Sequence, residues 1–241
     1  MNRLVRISVR PFCDFMSAIG RLGIWFTIPM NGKYRLSFFS KRKYIDQNYD
    51  KNLLAIEHHL DKIEKDKGFI ENQKLYNDMY YGVTTMAETG CEVIAVYNAL
   101  VALLLNESGS AGAPSLPKLI SIFENSGIMM AGQFGTGPKA IVDFFRKRGI
   151  EVRIAYDQSR YGIISRERAA SIIMIFNNKD RLHDAIHTMC ITRDRDYLVL
   201  HNLKDRPVRF SSMKELIAKS GVKGKAQGIM IVGIGDKINK I

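Results

Sequence analysis

Residues 86–105, MAETGCEVIAVYNALVALLL, pass from a short polar start into a long apolar run. Between Val93 and Leu105 only Tyr97 and Asn98 carry polar groups. A helix that is apolar almost all round is normally buried in the middle of a domain rather than laid on its surface. The sequence therefore predicts a buried central helix around which the rest of the chain packs.

Cys91 stands at the head of this helix, directly after the polar, Gly-ended loop 88–90. The unsatisfied N–H groups and the positive dipole end of a helix start favour negative charge. A thiol in that position has its pKa lowered toward the reactive thiolate. Cys91 is therefore a candidate nucleophile, and the alternative is a small buried hydrophobe without a chemical role.

Composition restricts the class of protein. An apolar fraction of 46% across 241 residues is enough for a sizeable core. The three cysteines are odd in number, widely spaced and without a CxxC pair, which argues against a disulfide framework and for a reducing, cytoplasmic compartment. The net charge of +12 does not indicate nucleic-acid binding, because residues 1–43 carry +8 and the remaining chain only +4.

The N-terminal segment 1–45 mixes basic residues with apolar and aromatic ones. Its longest apolar stretch, around Ile19 to Met30, is interrupted by Arg21 and is too short to span a bilayer. Three interpretations remain open: a docked or poorly ordered extension, an arm that contacts a membrane surface or a partner, or a degenerate export signal.

Helices are predicted before strands along the chain. An exposed amphipathic helix is expected within 46–75, with an apolar stripe formed by Leu53, Leu54, Ile56, Leu60 and Ile63. Residues 71–90 are polar and are expected to run irregularly across the surface.

Capping residues predict two later helices. Ser115 begins one that runs to about Asn125, and Pro138 opens one that stops at Gly149.

The second half of the chain has the pattern of an antiparallel sheet. Five strands are predicted, at 151–156, 171–176, 186–192, 197–201 and 229–234, together with a short helix capped by Ser212 and Glu215. Helices followed by such a sheet indicate an α+β fold. We expect an N-terminal helical half, with the buried Cys-bearing helix packed on the C-terminal sheet.

A hairpin centred on Asp194 and Arg195 places His187 directly opposite Asn202, with Cβ atoms about 5 Å apart. An amide there accepts the imidazole Nδ1–H and leaves Nε2 for a nucleophile, as Cys–His catalysis requires. The alternatives are a structural histidine or a metal site. A metal site is disfavoured because His187 and Cys190 point to opposite faces of a strand and no paired-Cys spacing supports zinc. The sequence predicts no metal and no other cofactor.

These residues resemble the papain-like cysteine peptidases, and within them the bacteriocin-leader-processing (double-glycine) branch. The similar features are a Gly-Cys at the head of an apolar helix and three later stretches: GTGPKAIVDFFRKRGIEV (135–152), SIIMIFNN (171–178) and IHTMCITRDRDYLVLHN (186–202). The resemblance covers roughly residues 76–234. It implies a papain-like domain over 76–241, preceded by the 46–75 helix and the 1–45 extension.

The resemblance also implies site residues. Cys91 is the nucleophile, His187 the general base and then acid, and Asn202 the group that orients the imidazole. The family has a glutamine about six residues before the cysteine, where this chain has Thr85. The oxyanion would then be held by the Thr85 hydroxyl, by the Cys91 N–H or by another donor.

The function expected from these features is that of a cysteine peptidase or amidohydrolase, which cleaves a peptide or amide bond through a thioester acyl-enzyme. One alternative is a catalytically inactive module that binds a peptide or protein partner, which the missing glutamine favours. Another is acyl or γ-glutamyl transfer on the same triad. The expected partner is a peptide or protein substrate, with possible membrane association through residues 1–45.

Overall fold

The computed structural model describes residues 41–108, 115–129, 132–133, 135–177, 186–222 and 226–236. The expectations for residues 1–40 fall outside these residues. Within the described chain the helical half and the antiparallel sheet are both present, and the α+β class is confirmed.

The first half contains six helices and one small hairpin within the described residues. The helices are α1 (Lys41–Ala55), α2 (Leu60–Lys65), α3 (Met86–Thr89), α4 (Cys91–Ser108), α5 (Leu116–Ser126) and α6 (Pro138–Arg146). Short 3-10 turns cover Ile56–His59 and Gln73–Leu75. The hairpin pairs β1 (Tyr80–Tyr81) with β2 (Thr84–Thr85).

The described residues of the second half form six strands and two α-helices. The strands are β3 (Val152–Ala155), β4 (Arg168–Phe176), β5 (Ile186–Asp194), β6 (Tyr197–His201), β7 (Val208–Phe210) and β8 (Gln227–Asp236). The helices are α7 (Tyr161–Glu167) and α8 (Met213–Lys219). All pairings are antiparallel, in the order β3-β8-β4-β5-β6-β7. The five predicted strands are present, whereas α7 and β7 were not predicted.

The sheet is buried on both faces because each face has its own apolar cluster. Ile172 and Met174 of β4 belong to the cluster that contains α4, while Ile173 and Ile175 pack with α7 and α8. This two-sided burial explains why β4 reads as a continuous apolar run rather than an alternating one. The prediction of a buried central helix is confirmed, since α4 packs against β4 and β5.

The predicted apolar stripe before residue 68 is wrong for most of its members. Leu53, Leu54 and Leu60 are exposed, Leu54 by 70%. The buried face of α1 instead carries Asn48 and Asn52, whose amides bond to the backbone of the β1–β2 hairpin. Hydrogen bonding thus makes it possible to bury a polar face that hydrophobicity alone would assign to solvent.

The segment 71–90 was expected to lie across the surface, and this prediction is also wrong. Met79, Tyr81 and Met86 have no exposed surface, and Glu71 is buried as well. The segment forms the Gln73–Leu75 turn, the β1–β2 hairpin and α3. It is part of the core layer immediately before Cys91.

The predicted register of the β5–β6 hairpin is corrected by the structure. The observed pairs include Cys190 with His201 and Asp194 with Tyr197, so the turn is centred on Arg195 and Asp196. Arg195 has a φ of 53° there. The predicted direct opposition of His187 and Asn202 is therefore wrong, because the strand partner of each β5 residue lies two positions further along the chain.

Candidate functional site

Cys91 is the first residue of α4 and follows α3 after the single residue Gly90. A Cβ on Gly90 would lie 2.6 Å from Met86 Cε and 2.7 Å from the Met86 carbonyl oxygen. A side chain at position 90 would thus collide with the first residue of α3, so glycine is required where α3 ends and α4 begins. Cys91 has 7% of its surface exposed, at the junction of the two helices.

The Cys91 thiol is not activated in this structure, in contrast to the sequence-based prediction. Its Sγ has hydrogen bonds with the backbone and hydroxyl of Thr188 and with the Glu92 carboxylate. Burial raises the pKa of Cys91 well above its ordinary value, and the neighbouring charge on Glu92 raises this pKa further. Desolvation and a like charge both disfavour the thiolate. Here they outweigh the stabilisation of negative charge by the N-terminus of the helix.

Glu92 is a buried carboxyl group that the sequence reasoning missed. Its Oε2 lies 3.4 Å from the Thr136 backbone N and its Oε1 lies 3.4 Å from the Thr188 hydroxyl. A Cβ on Gly135 would lie 2.6 Å from Oε2, so the backbone closes tightly over the carboxylate. Burial raises the pKa of Glu92 to about 7. The sequence signal that could have revealed this group is a carboxylate in the first turn of an otherwise apolar helix.

His187 lies near the start of β5 and is half-buried. Its Nε2 is 2.9 Å from the backbone carbonyl oxygen of Asn202. A carbonyl only accepts, so Nε2 is the nitrogen that carries hydrogen. The neutral ring therefore has Nδ1 as its basic nitrogen. This reverses the sequence-based assignment of the two nitrogens.

Asn202 follows β6 and contacts His187 through its backbone rather than through its side chain. The side-chain amide is engaged by Gln73: Oδ1 accepts from the Gln73 backbone N at 2.9 Å, and Nδ2 donates to Gln73 Oε1 at 3.0 Å. Asn202 has a φ of 65°, a left-handed conformation that asparagine tolerates better than most residues. Asn202 therefore contacts His187 through its carbonyl oxygen and not through the side-chain amide expected from the sequence, and its role as the orienting residue stays a prediction.

The structure joins the predicted site residues in two groups. His187 and Asn202 are in direct contact, and Cys91 contacts Thr188, the residue that follows His187. Neighbouring residues of a strand point to opposite faces, so Thr188 shares its face with Cys190 and His187 shares its face with Met189. Both groups lie where β5 begins.

Thr85 is placed as a helix cap. Its backbone N and its hydroxyl both bond to Glu88 Oε2, at 3.2 and 3.4 Å, in the capping box that opens α3. The hydroxyl therefore already has a partner at the exposed side of the helix start. Its role with an oxyanion stays a prediction.

A second histidine site, also missed, lies beside Asn202. His201 Nδ1 is 2.6 Å from Glu71 Oε1, and its Nε2 is 2.8 Å from the Thr192 hydroxyl. The ring stacks on Phe69 with centroids 4.1 Å apart. Glu71 and His201 are both buried, so this pair is a fixed part of the interior.

Among the described residues no three side chains of histidine, cysteine, aspartate or glutamate are grouped so that they could hold a metal ion. Cys190 and His201 are direct strand partners, but both are buried and His201 is already bonded to Glu71. Burial raises the pKa of the Cys190 thiol. The structure thus gives Cys190 the environment of a core residue.

Helices in the described part of the chain are all too short or too polar to cross a membrane.

Comparison with known proteins gives distant structural similarity and no match in sequence. No family model matches the chain, and no curated protein matches it. Among solved structures it is similar to the peptidase domain of Streptococcus ComA, a bi-functional ABC transporter involved in a quorum-sensing pathway. The identity is 13% and the TM-score 0.39, over 61% of this chain and 90% of that chain. A likeness of that size does not assign a function to this chain, and the site itself is the basis for one.

Proposed function

We propose that this protein is a cysteine peptidase or amidohydrolase of papain-like type, with Cys91 as nucleophile, His187 as general base and acid, and Asn202 as the orienting residue. The observation that carries the proposal is the hydrogen bond from His187 Nε2 to the Asn202 carbonyl. It fixes the ring in the tautomer whose Nδ1 can take a proton, beside the residue that contacts Cys91.

The proposed reaction has two stages. Cys91 Sγ attacks the substrate carbonyl carbon while its proton passes to His187 Nδ1, and His187 then protonates the leaving amine as the C–N bond breaks. Water hydrolyses the resulting thioester: His187 takes the proton from water, and Cys91 recovers its own when the C–S bond breaks. Backbone N–H groups of the first turn of α4 are the proposed donors to the oxyanion.

The high pKa of Cys91 sets a condition on this mechanism. Because the raised pKa keeps the sulfur protonated near neutral pH, its proton must leave during the attack and not beforehand. Proton transfer requires the His187 ring to approach Sγ at the end of the sheet, where β5 begins and β6 ends. A substrate that displaces the Cys91–Glu92 contact would also remove the like charge that opposes the thiolate.

Hydrolysis of a mixed peptide library, followed by mass spectrometry of new termini, tests the proposal. We expect cleavage by the wild type and by Cys190→Ala, a matched change of a second buried thiol. Cleavage should be lost in Cys91→Ala and in His187→Ala. Cleavage that persists without Cys91 would contradict the proposal, as would the absence of cleavage in all four proteins.

The second candidate function is a catalytically inactive module that binds a peptide or protein. The burial of Cys91 and its contact with Glu92 favour it, because both keep the sulfur protonated. In this case none of the proteins cleaves the library, and His187→Ala leaves the iodoacetamide labelling of Cys91 unchanged.

A further inference from the structure

Residues 70–73, here called the bridging segment, run between the cysteine helix and the end of β6. The first contact is with α4: the Ile70 backbone N donates to Asn98 Oδ1, and Asn98 Nδ2 donates to the Ile70 carbonyl, both at 2.8 Å. Asn98 is fully buried in an otherwise apolar helix. Its amide therefore fixes the bridging segment to the helix that begins with Cys91.

The second contact of the bridging segment is with the His201-Asn202 pair. Glu71 Oε1 lies 2.6 Å from His201 Nδ1, and Glu71 Oε2 accepts from the Asn202 backbone N at 3.3 Å. One buried carboxylate thus holds two successive residues at the end of β6. The Asn202 peptide groups are engaged on both sides, since the Asn202 carbonyl accepts from His187.

Gln73 makes the third contact and reaches both halves of the site. Its backbone N and its Oε1 bond to the Asn202 amide at 2.9 and 3.0 Å. Its Nε2 donates to the Ala87 carbonyl in α3 at 3.1 Å, four residues before Cys91. Gln73 therefore contacts the residue that holds His187 and also the helix that precedes the cysteine.

We infer that Gln73 is a positioning residue that couples the orientation of His187, through Asn202, to the α3–α4 junction that carries Cys91. The inference rests on the proposed function of these residues. Asparagine tolerates a left-handed φ better than most residues, but the conformation is still uncommon and surrounding contacts help to maintain it. The Gln73 side chain supplies one such contact and ties it to α3. The bridging segment lies outside residues 76–234, so the site is incomplete without a part of the chain that precedes them.

The test compares Gln73→Ala with Gln73→Glu in the full chain. Ring ¹⁵N shifts report the His187 tautomer, assigned by the signal that His187→Gln removes. Mass spectrometry of the Cys91 peptide reports iodoacetamide labelling. We expect Gln73→Ala to replace the single Nε2–H tautomer by a mixture and to change the Cys91 labelling rate by about fivefold to tenfold, as the loss of one hydrogen bond allows.

Gln73→Glu keeps an acceptor for Asn202 Nδ2 but lacks the donor to Ala87. This variant should therefore keep the tautomer and change only the labelling rate.

Lys74→Ala, a change of the exposed neighbour in the same turn, is the control and should match the wild type in both measurements. The inference is overturned if Gln73→Ala also matches the wild type, or if it changes one measurement without the other. A purely structural role would lower the melting temperature without mixing the tautomers. Absence of peptide hydrolysis in the wild type would refute the proposed function but would leave this coupling measurable.

Discussion

Glu92 is the residue that most affects the chemistry of Cys91. A carboxylate beside a thiol in the interior is unfavourable, because each negative charge opposes the other and neither is solvated. The two groups share a hydrogen bond, and the raised pKa of Cys91 keeps the proton on sulfur near neutral pH. The carboxylate also accepts from the backbone N of Thr136 and from the hydroxyl of Thr188.

Replacing Glu92 with glutamine should make Cys91 more reactive. Glu92→Gln removes the like charge while keeping an acceptor for the Thr136 N–H, so the pKa of Cys91 falls, although burial still holds it high. Each unit of pKa is a tenfold change in thiolate. We expect iodoacetamide to label Cys91 about tenfold faster at pH 8, as measured by mass spectrometry.

Two references keep that measurement interpretable. Glu88→Gln changes an exposed carboxyl of the preceding helix and should leave the Cys91 rate unchanged. Cys190, fully buried in the same chain, should stay slow in every variant. Equal rates for Cys91 in wild type and Glu92→Gln would mean that the Glu92 charge does not reach the sulfur.

Glu92 should also make stability depend on pH. Its pKa is raised from 4.5 to about 7 on folding, so the folded state holds this proton more tightly than the unfolded state. The resulting stabilisation is complete below pH 4.5 and is lost as the pH rises through about 7. The shift corresponds to about 3 kcal/mol.

Urea denaturation at several pH values checks this expectation. The difference in unfolding free energy between wild type and Glu92→Gln should move by about 3 kcal/mol in favour of the variant between pH 4.5 and pH 8. Contributions from Asp78 and Glu215, whose pKa values are lowered, run in the opposite direction and cancel in the difference. A difference that does not change with pH would refute the assignment of this proton to Glu92.

Among the elements, those with a strong hydrophobic pattern were predictable from sequence and those fixed by polar contacts were not. Helix α4 and strand β4 were predicted correctly, because an element that is buried on all sides has an almost unbroken apolar sequence. The buried face of α1 was not predicted, because hydrogen bonds to the β1–β2 hairpin hold Asn48 and Asn52 there. A hydrophobic periodicity in the sequence does not reveal such bonds.

The β5–β6 hairpin shows what a pattern leaves undetermined. The charged turn 193–196 permits more than one centre, and the observed one requires Arg195 to take a positive φ. The resulting shift moves each strand partner by two positions, which keeps every side chain on its predicted face. This explains why His187 and Asn202 still meet although the predicted pairing was wrong. The sequence did not predict which atom of Asn202 faces the ring, because the Asn202 side chain is bonded to Gln73, 129 residues earlier in the chain.

At the scale of the whole molecule, buried hydrogen bonds indicate that residues before 76 belong to the same folded unit as the sheet. Asn48 of α1 donates to Glu124 of α5 at 2.7 Å, and Glu124 also accepts from the Gly82 backbone N at 2.9 Å. Ile70 and Glu71 supply the partners of Asn98 and His201. These bonds join α1, the bridging segment, α4, α5 and β6 through buried polar groups, whose partners are costly to remove.

Deleting the chain up to residue 75 should therefore prevent stable folding, even though the sequence suggests a domain over 76–241. The deletion exposes the surfaces that bury Ile45, Ile63 and Ile70, each worth about 1.5–3 kcal/mol. It also removes the Ile70 partner of Asn98, the Glu71 partner of His201 and the Asn48 bond to Glu124. The total exceeds about 5 kcal/mol, the lower end of the stability of ordinary domains. Urea unfolding followed by far-UV circular dichroism compares residues 41–241 with residues 76–241. We expect a cooperative transition only for the longer chain; equal midpoints would show instead that the domain begins at 76.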